Sequence, residues 1–229
     1  MKLLVLDTAT EACSVALEND GAVTARFEIC PQQHSQRLLP MVDEVLKDAG
    51  VTLKELDALA FGRGPGSFTG VRIATGMIQG LALGTGLSVA GVSTLQAMAQ
   101  QACVETHKDV FACALDARMG EVYFAVYSRT EDGLALLVEE QVCPPEHAAE
   151  QLAAISEPFY ALGTGWEAYE TLDELKGKDV EVSITLPAAE FMLPIAIEHV
   201  KKGEVSDAAA VKPVYLRDKV TWKKLPGRE

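Results

Sequence analysis

After Lys2 the chain opens on an unbroken apolar run, residues 3–6, so that 2–6 suits a strand buried on both faces. Residues 14–17 lead into Glu18-Asn19-Asp20-Gly21, a strong hairpin signal, so three antiparallel strands are expected near 2–7, 12–18 and 22–29. After Pro31 the period changes. Leu38, Leu39, Val42, Val45, Leu46 and Ala49 recur at helical spacing with Gly50 as a stop, which predicts an amphipathic helix over 34–49. Residues 56–61 then read as a strand, 62–66 as a tight loop, 71–83 as a second helix and 87–92 as another buried strand.

From Val110 the opening is echoed: a strand over 110–115, the turn Asp116-Ala117-Arg118-Met119-Gly120, a strand reaching Tyr127 and a hairpin at Glu131-Asp132-Gly133. A helix near 145–155, a strand at 159–162, a helix after Gly165 and a last helix over 188–202 complete the chain, the last expected to return onto the first half. Three antiparallel strands followed by alternating helix and strand make a mixed sheet of the ribonuclease-H type. Two such units form the α/β, two-lobe outline of the actin-like ATPases, by analogy of pattern. The expected lobes are residues 1–100 and a reduced second lobe, 101–229.

Composition narrows the functions available. A formal net charge of −13 opposes unaided binding to nucleic acid, which depends on Lys and Arg displacing phosphate counterions. Only the end of the chain is basic, with Lys212, Arg217, Lys219, Lys223, Lys224 and Arg228 against Asp218 and Glu229; it reads as a solvated tail or a docking segment. Five cysteines without a C-x-x-C pair, and four dispersed histidines, point to a reducing compartment and no structural metal. Asp7 cuts the initial apolar run short of a signal peptide. The stretch 73–92 is too rich in glycine, with Gln79 inside it and Arg72 at its head, for a membrane span, so a cytoplasmic protein is expected.

Two segments could carry chemistry. Asp7 closes the first strand beside Thr8 and Thr10, where an actin-like ATPase uses a carboxylate to orient Mg²⁺ and water. The run Gly62-Arg63-Gly64-Pro65-Gly66-Ser67-Phe68-Thr69-Gly70 could cradle a phosphate. It lacks the Lys-Ser/Thr of a P-loop, Pro65 offers no N–H, and the glycines equally explain a sharp strand-to-helix reversal capped by Ser67 or Thr69. On the following helix, Gly76, Gly80 and Gly84 fall four apart on one face, while Val71, Ile73, Ala74, Met77, Ile78 and Leu81 are apolar nearly all round. Such a helix must meet the sheet on one side and either the helix at 34–49 or another subunit on the other. No G-x-S-x-G elbow or H-E-x-x-H is present, and His34 beside Ser35 has no visible orienting acid.

Taken together, the segments Asp7-Thr8-Ala9-Thr10-Glu11-Ala12-Cys13-Ser14-Val15-Ala16-Leu17, Gly62 to Arg72, Gly91-Val92-Ser93-Thr94-Leu95, Asp116-Ala117-Arg118-Met119-Gly120-Glu121-Val122-Tyr123, Gly163-Thr164-Gly165-Trp166 and Pro213-Val214-Tyr215-Leu216-Arg217 resemble the TsaB (YeaZ) family, in its gammaproteobacterial form, across the whole chain. The resemblance implies a non-catalytic scaffold that pairs with the paralogue TsaD and supports the ATPase TsaE while threonylcarbamoyl passes from its adenylate to N6 of the tRNA adenosine 3′ of the anticodon. It further implies a homodimer when TsaD is absent, and contact with tRNA only through the complex. TsaD carries a metal-binding H-x-x-x-H on the helix after the fifth strand, where this chain has Thr94 and Met98, which cannot replace two imidazoles.

No catalytic residue, cofactor or metal is assigned; Asp7, Thr8, Gly64 and Gly66 remain the candidate nucleotide contacts, and Gly163-Thr164-Gly165 is a poor match to an adenosine-binding motif. The expected pairing surface lies on the helices at 34–49 and 70–84, through Leu38, Met41, Val42, Val45, Arg72, Ile73, Met77, Gly80 and Leu81. The alternatives are an autonomous ATPase or kinase using Asp7 and the glycine-rich loop, and a peptidase drawing its nucleophile from Ser35 or Thr8.

Overall fold

The structure, a computed structural model, describes residues 1–176 and 182–217. The first lobe is a five-stranded sheet in the order β3-β2-β1-β4-β5, formed by β1 (Lys2–Asp7), β2 (Ala12–Asn19), β3 (Ala22–Ile29), β4 (Ala58–Gly64) and β5 (Val89–Ser93). β1, β2 and β3 pair antiparallel, whereas β4 and β5 join parallel, because each returns through a connection containing a helix. This is the mixed ribonuclease-H-like sheet that the pattern predicts.

One face of the sheet is covered by α1 (His34–Ala49) and α2 (Phe68–Thr85), and the opposite face by α7 (Ala189–Lys202). α1 ends on Gly50 at φ 64°, a left-handed cap that spares a side chain the steric cost of that conformation. The second lobe is a four-stranded sheet in the order β8-β7-β6-β9, built from β6 (Val110–Asp116), β7 (Val122–Thr130), β8 (Gly133–Cys143) and β9 (Phe159–Leu162). Its outer face packs on α4 (Pro145–Ala153), α5 (Gly165–Ala168) and α6 (Glu170–Lys176) around the buried Trp166, whose Nε1 donates to the carbonyls of Ala112 and Leu162.

Between the sheets runs α3 (Thr94–Glu105), capped by the Ser93 hydroxyl that accepts from the Gln96 amide at 3.3 Å. Its Ala97 belongs to the core under α7, while Leu95, Met98, Ala99 and Ala102 belong to the core of the second sheet with Phe111, Ala125 and Tyr127. α3 therefore stands in both cores at once, and the lobes are packed through it.

One expectation is corrected. The glycine-rich run at 62–66 is not wholly a loop, because β4 continues to Gly64, with Gly62 opposite Val92 and Gly64 opposite Ser93 across a register shift. Residues 56–57 precede the strand, since a 3-10 turn at Leu53–Glu55, closed by reciprocal bonds between Thr52 and Glu55, occupies the approach. Glycine reads as a loop in one dimension, yet parallel pairing with β5 holds this stretch extended.

Because α3 is common to both cores, Leu95→Ala is expected to cost about 3 kcal/mol. Hydrogen exchange measured through a urea series should show β1–β2 and β6–β7 losing protection together rather than the second lobe alone.

Candidate functional site

At the carboxyl ends of the parallel strands the glycine-rich segment closes on residues 7–9. A Cβ on Gly62 would lie 1.8 Å from Asp7 Oδ1, one on Gly66 2.3 Å from the Ala9 carbonyl, and one on Gly70 2.1 Å from the Thr8 carbonyl. At Gly66 and Gly70 a side chain would meet main chain, so glycine is required there by close backbone approach, whereas at Gly62 it would displace the Asp7 carboxylate. Hydrogen bonds complete the closure: the Thr8 hydroxyl donates to the Gly70 carbonyl at 2.8 Å, and the Ser67 amide to the Ala9 carbonyl at 2.7 Å. Ser67 is also the N-cap of α2, accepting from the Gly70 amide.

Among the candidate nucleotide contacts, then, Asp7 and Thr8 are fully buried beneath the loop. Gly64, at φ 96°, faces the Val214 carbonyl, and Gly66 packs on Ala9. Gly64, Gly66 and Gly70 bring protein backbone against protein backbone, and two of the polar groups that could address a phosphate, the Ser67 and Gly70 amides, are spent within the chain.

Asp7 Oδ2 accepts from the Ala9 amide at 3.2 Å, but Oδ1 is buried without a partner. Burial pushes its carboxyl up to about 7, against the backbone hydrogen bonds from Ala9 and Thr8 that favour the ionised form.

The second lobe has a counterpart that was not among the candidate nucleotide contacts. Asp116 ends β6 as Asp7 ends β1, and the repeated opening of the two halves was the signal that could have found it. Its carboxylate accepts from the Arg118 amide at 2.8 Å and the Tyr169 hydroxyl at 2.9 Å. Burial, and then the Asp116 hydrogen bond, push the Tyr169 phenol up to about 12. Gly163 and Gly165 press against the Ala114 carbonyl, where a Cβ would come to 2.2 and 2.9 Å, so this pair also serves close packing.

Side chains cross the mouth between the lobes. Arg118 of the second lobe lies 3.6 Å from Glu11 of the first, and Arg63 reaches Glu140 at 3.3 Å, with the Tyr127 hydroxyl on the same carboxylate at 2.9 Å.

On α3, Thr94 and Met98 are fully buried in the interlobe core. Among the described residues no group of three His, Cys, Asp or Glu is arranged to hold a metal ion, and no helix is long and apolar enough to cross a membrane. His34 is buried with Nε2 unpartnered while Ser35 is exposed, so these neighbours make no nucleophile–base bond through that nitrogen. The cysteines at 13, 30, 103, 113 and 143 are all free thiols.

The expected pairing residues separate into two groups. Leu38, Met41, Val42 and Val45 are at most 2% exposed, packed inward on β2 and the first core, and are corrected here: their apolar stripe is consumed by their own lobe. On α2, Ile73, Met77 and Leu81 are half-buried at the edge of that core, whereas Arg72 and Gly80 face outward. The outward face of α2 comprises Arg72, Gly76, Gly80, Leu83 (80% exposed) and Gly84, and no atom lies within 4 Å of where a Cβ on any of its three glycines would stand. Beside it α1 exposes Ser35, Leu39, Pro40 and Asp43. At the start of α2 the Arg72 guanidinium lies 3.6 Å from the centre of the Phe68 ring and donates from Nε to the Tyr215 hydroxyl at 2.8 Å. Lys219, Lys223, Lys224 and Arg228 of the basic cluster lie outside the described residues, and Arg217 is engaged within the chain.

The Asp7 environment has a pH signature. A carboxyl raised from its ordinary range to about 7 holds a proton that the unfolded chain releases near pH 4. Its contribution is fully present below pH 4 and is lost as pH rises towards 7. Asp7→Asn, which cannot ionise, is expected to raise Tm relative to the parent more at pH 8 than at pH 4.5, as read by calorimetry; an equal shift at both values would contradict the burial account.

Comparison with known proteins places this architecture. A family model described as TsaD, tRNA N6-adenosine threonylcarbamoyltransferase, matches residues 26–227. The tRNA threonylcarbamoyladenosine biosynthesis protein TsaB of Escherichia coli K12 is 51% identical over the whole of both chains. The protein of the same name from Haemophilus influenzae is 46% identical over 100% of this chain and 99% of its own. A solved structure of YeaZ from Pseudomonas aeruginosa superposes with a TM-score of 0.82 at 42% identity, over 94% of this chain and 99% of that one. The chain therefore belongs to the TsaB family of tRNA threonylcarbamoyladenosine biosynthesis proteins.

Proposed function

We propose that the chain is a non-catalytic scaffold in tRNA threonylcarbamoyladenosine formation. It pairs with the catalytic paralogue TsaD, supports TsaE, and pairs with a second copy of itself when TsaD is absent. The observation that carries this reading is the outward face of α2. Gly76, Gly80 and Gly84 have open space around them, so nothing in the chain's own packing requires a glycine there, although each costs a helix about 1 kcal/mol relative to Ala. A helix that gives up propensity on its exposed side, next to a fully outward Leu83, is suited to close approach by a partner helix. The surface is accordingly drawn through Arg72, Gly76, Gly80, Leu83 and Gly84 of α2, with Leu39 and Pro40 of α1 alongside, and without the buried α1 stripe. A cleft of about 350 Å³ bounded by Leu83, Leu87, Val205 and Asp207 continues it at the C-terminal end of α2.

Several features support the division of labour. Asp7 is enclosed under the glycine-rich segment, which disfavours Mg²⁺-nucleotide chemistry at that carboxylate, and the family resemblance implies that Thr94 and Met98 take the places of TsaD's metal-binding histidines. Residues 102–176 hold 15 Asp and Glu against 4 Lys and Arg, an acidic lobe that repels a tRNA phosphate backbone and favours tRNA reaching the site on another subunit. A cytoplasmic location follows from that role.

Gly80→Leu separates folding from pairing. It is expected to raise the stability of the isolated chain by about 0.5–1 kcal/mol, because leucine is the better helix former and the site is open. It should also weaken binding to TsaD at least about tenfold, near 1.4 kcal/mol. Titration calorimetry with TsaD checks the second point; undiminished affinity would remove α2 from the interface. In a reconstituted reaction with TsaD, TsaE, threonylcarbamoyl-adenylate and tRNA, modification should require this chain, and turnover by the chain alone would sink the scaffold reading.

A further inference from the structure

Residues 203–217, the described part of the chain after α7, form no helix or strand apart from an isolated bridge between Ser206 and Val89, yet several of them are tied to different parts of the molecule. Val211 is buried in the core beneath α2, and its carbonyl accepts from Gln79 Nε2 at 2.9 Å. The Val214 amide donates to the Arg63 carbonyl at 2.8 Å, and its own carbonyl lies against Gly64, where a Cβ would stand 3.0 Å away. Tyr215 packs on Phe68 with ring centres 5.7 Å apart and accepts from Arg72. Arg217 then leaves the first lobe altogether: its guanidinium donates to the carbonyls of Ala117 (3.1 Å) and Arg118 (3.3 Å) and pairs with the Glu121 carboxylate.

The turn that Arg217 grips is strained. Arg118 and Met119 both take left-handed backbone, at φ 62° and 59°, a conformation that costs non-glycine residues roughly 1 kcal/mol or more each and persists only where surroundings enforce it. Within the turn the Ala117 amide donates to the Glu121 carbonyl (2.9 Å), the Glu121 amide to the Arg118 carbonyl (3.2 Å) and the Arg118 amide to the Asp116 carboxylate (2.8 Å), and the Tyr169 hydroxyl reaches the Glu121 carbonyl (3.2 Å). Arg217 adds donors to two carbonyls of the turn and a charge pair to its last residue. Arg63 joins the two ends: its carbonyl holds Val214, and its guanidinium reaches Glu140 of the second lobe.

We propose that residues 211–217 form a strap that holds the strained β6–β7 turn in place and fixes the second lobe against the start of α2, so that the lobe angle and the Phe68–Arg72–Tyr215 corner move as one unit. Arg217 is its positioning residue at one end and Tyr215 at the other. A partner that displaces Tyr215 from Arg72 loosens the turn at 117–121, and a change in lobe angle is felt at α2.

Amide hydrogen exchange on the full chain reads this coupling without any partner, so its outcome is independent of the pairing assigned to α2. In Arg217→Gln, the amides of Ala117 and Glu121 are expected to exchange at least about tenfold faster, with the Val214 amide following, while those of β1 and β2 keep their rates. Tyr215→Ala, which frees the opposite end, is expected to speed the same turn. Unchanged exchange at 117–121 in both variants overturns the strap. So does acceleration confined to that turn in Arg217→Gln together with a silent Tyr215→Ala, the pattern of a local loop contact. If Arg217→Gln also accelerates β1 and β2, Glu121→Gln removes the same ion pair from the second lobe and is held to the same outcomes.

Discussion

The close approach of the glycine-rich segment to the backbone of residues 7–9 is the constraint on which the rest of the molecule turns. Three absent side chains, at Gly62, Gly66 and Gly70, let β4 and the start of α2 lie directly on Asp7, Thr8 and Ala9. That contact sets where α2 begins, through the Ser67 cap, and hence which of its faces meets the sheet. It also encloses Asp7, leaving one carboxylate oxygen without a partner and raising the affinity of the group for its proton.

The second lobe repeats the device with different parts. Asp116 ends its strand like Asp7, but is satisfied by Arg118 and Tyr169, and Gly163 and Gly165 lie on the Ala114 carbonyl. Between the lobes α3 is buried on both sides, and Arg118–Glu11, Arg63–Glu140 and the 211–217 segment cross the mouth. A shared apolar core resists opening far more than surface ion pairs do, since each exposed pair is worth at most about 1 kcal/mol. The ion pairs are better understood as setting orientation than as supplying cohesion.

What remains outward follows from this arrangement. With one side of α2 committed to the sheet, Gly76, Gly80, Leu83 and Gly84 are left facing solvent, while the acidic residues accumulate on the second lobe. The chain that carries these surfaces belongs to the TsaB family of tRNA threonylcarbamoyladenosine biosynthesis proteins.

Much of the fold was legible in one dimension. Apolar runs with a hairpin signal at Gly21, then a period-3.6 pattern stopped by Gly50, located the three-strand meander and α1, because β1, β2 and α1 bury apolar residues that their own local sequence must supply. The repeated opening likewise announced a second lobe, and the motif segments were specific enough to indicate the family. Periodicity states that a helix has an apolar face but not what will cover it, which is why Leu38, Met41, Val42 and Val45 read as a pairing surface and prove to be core. The same limit hid the strand character of Gly62 and Gly64, which depends on β5 some thirty residues away, and the role of Arg217, whose partners lie about a hundred residues earlier. Local pattern thus determined which elements form and in what order. Only the tertiary structure decided which faces stay exposed, because exposure is a property of what else arrives at that surface.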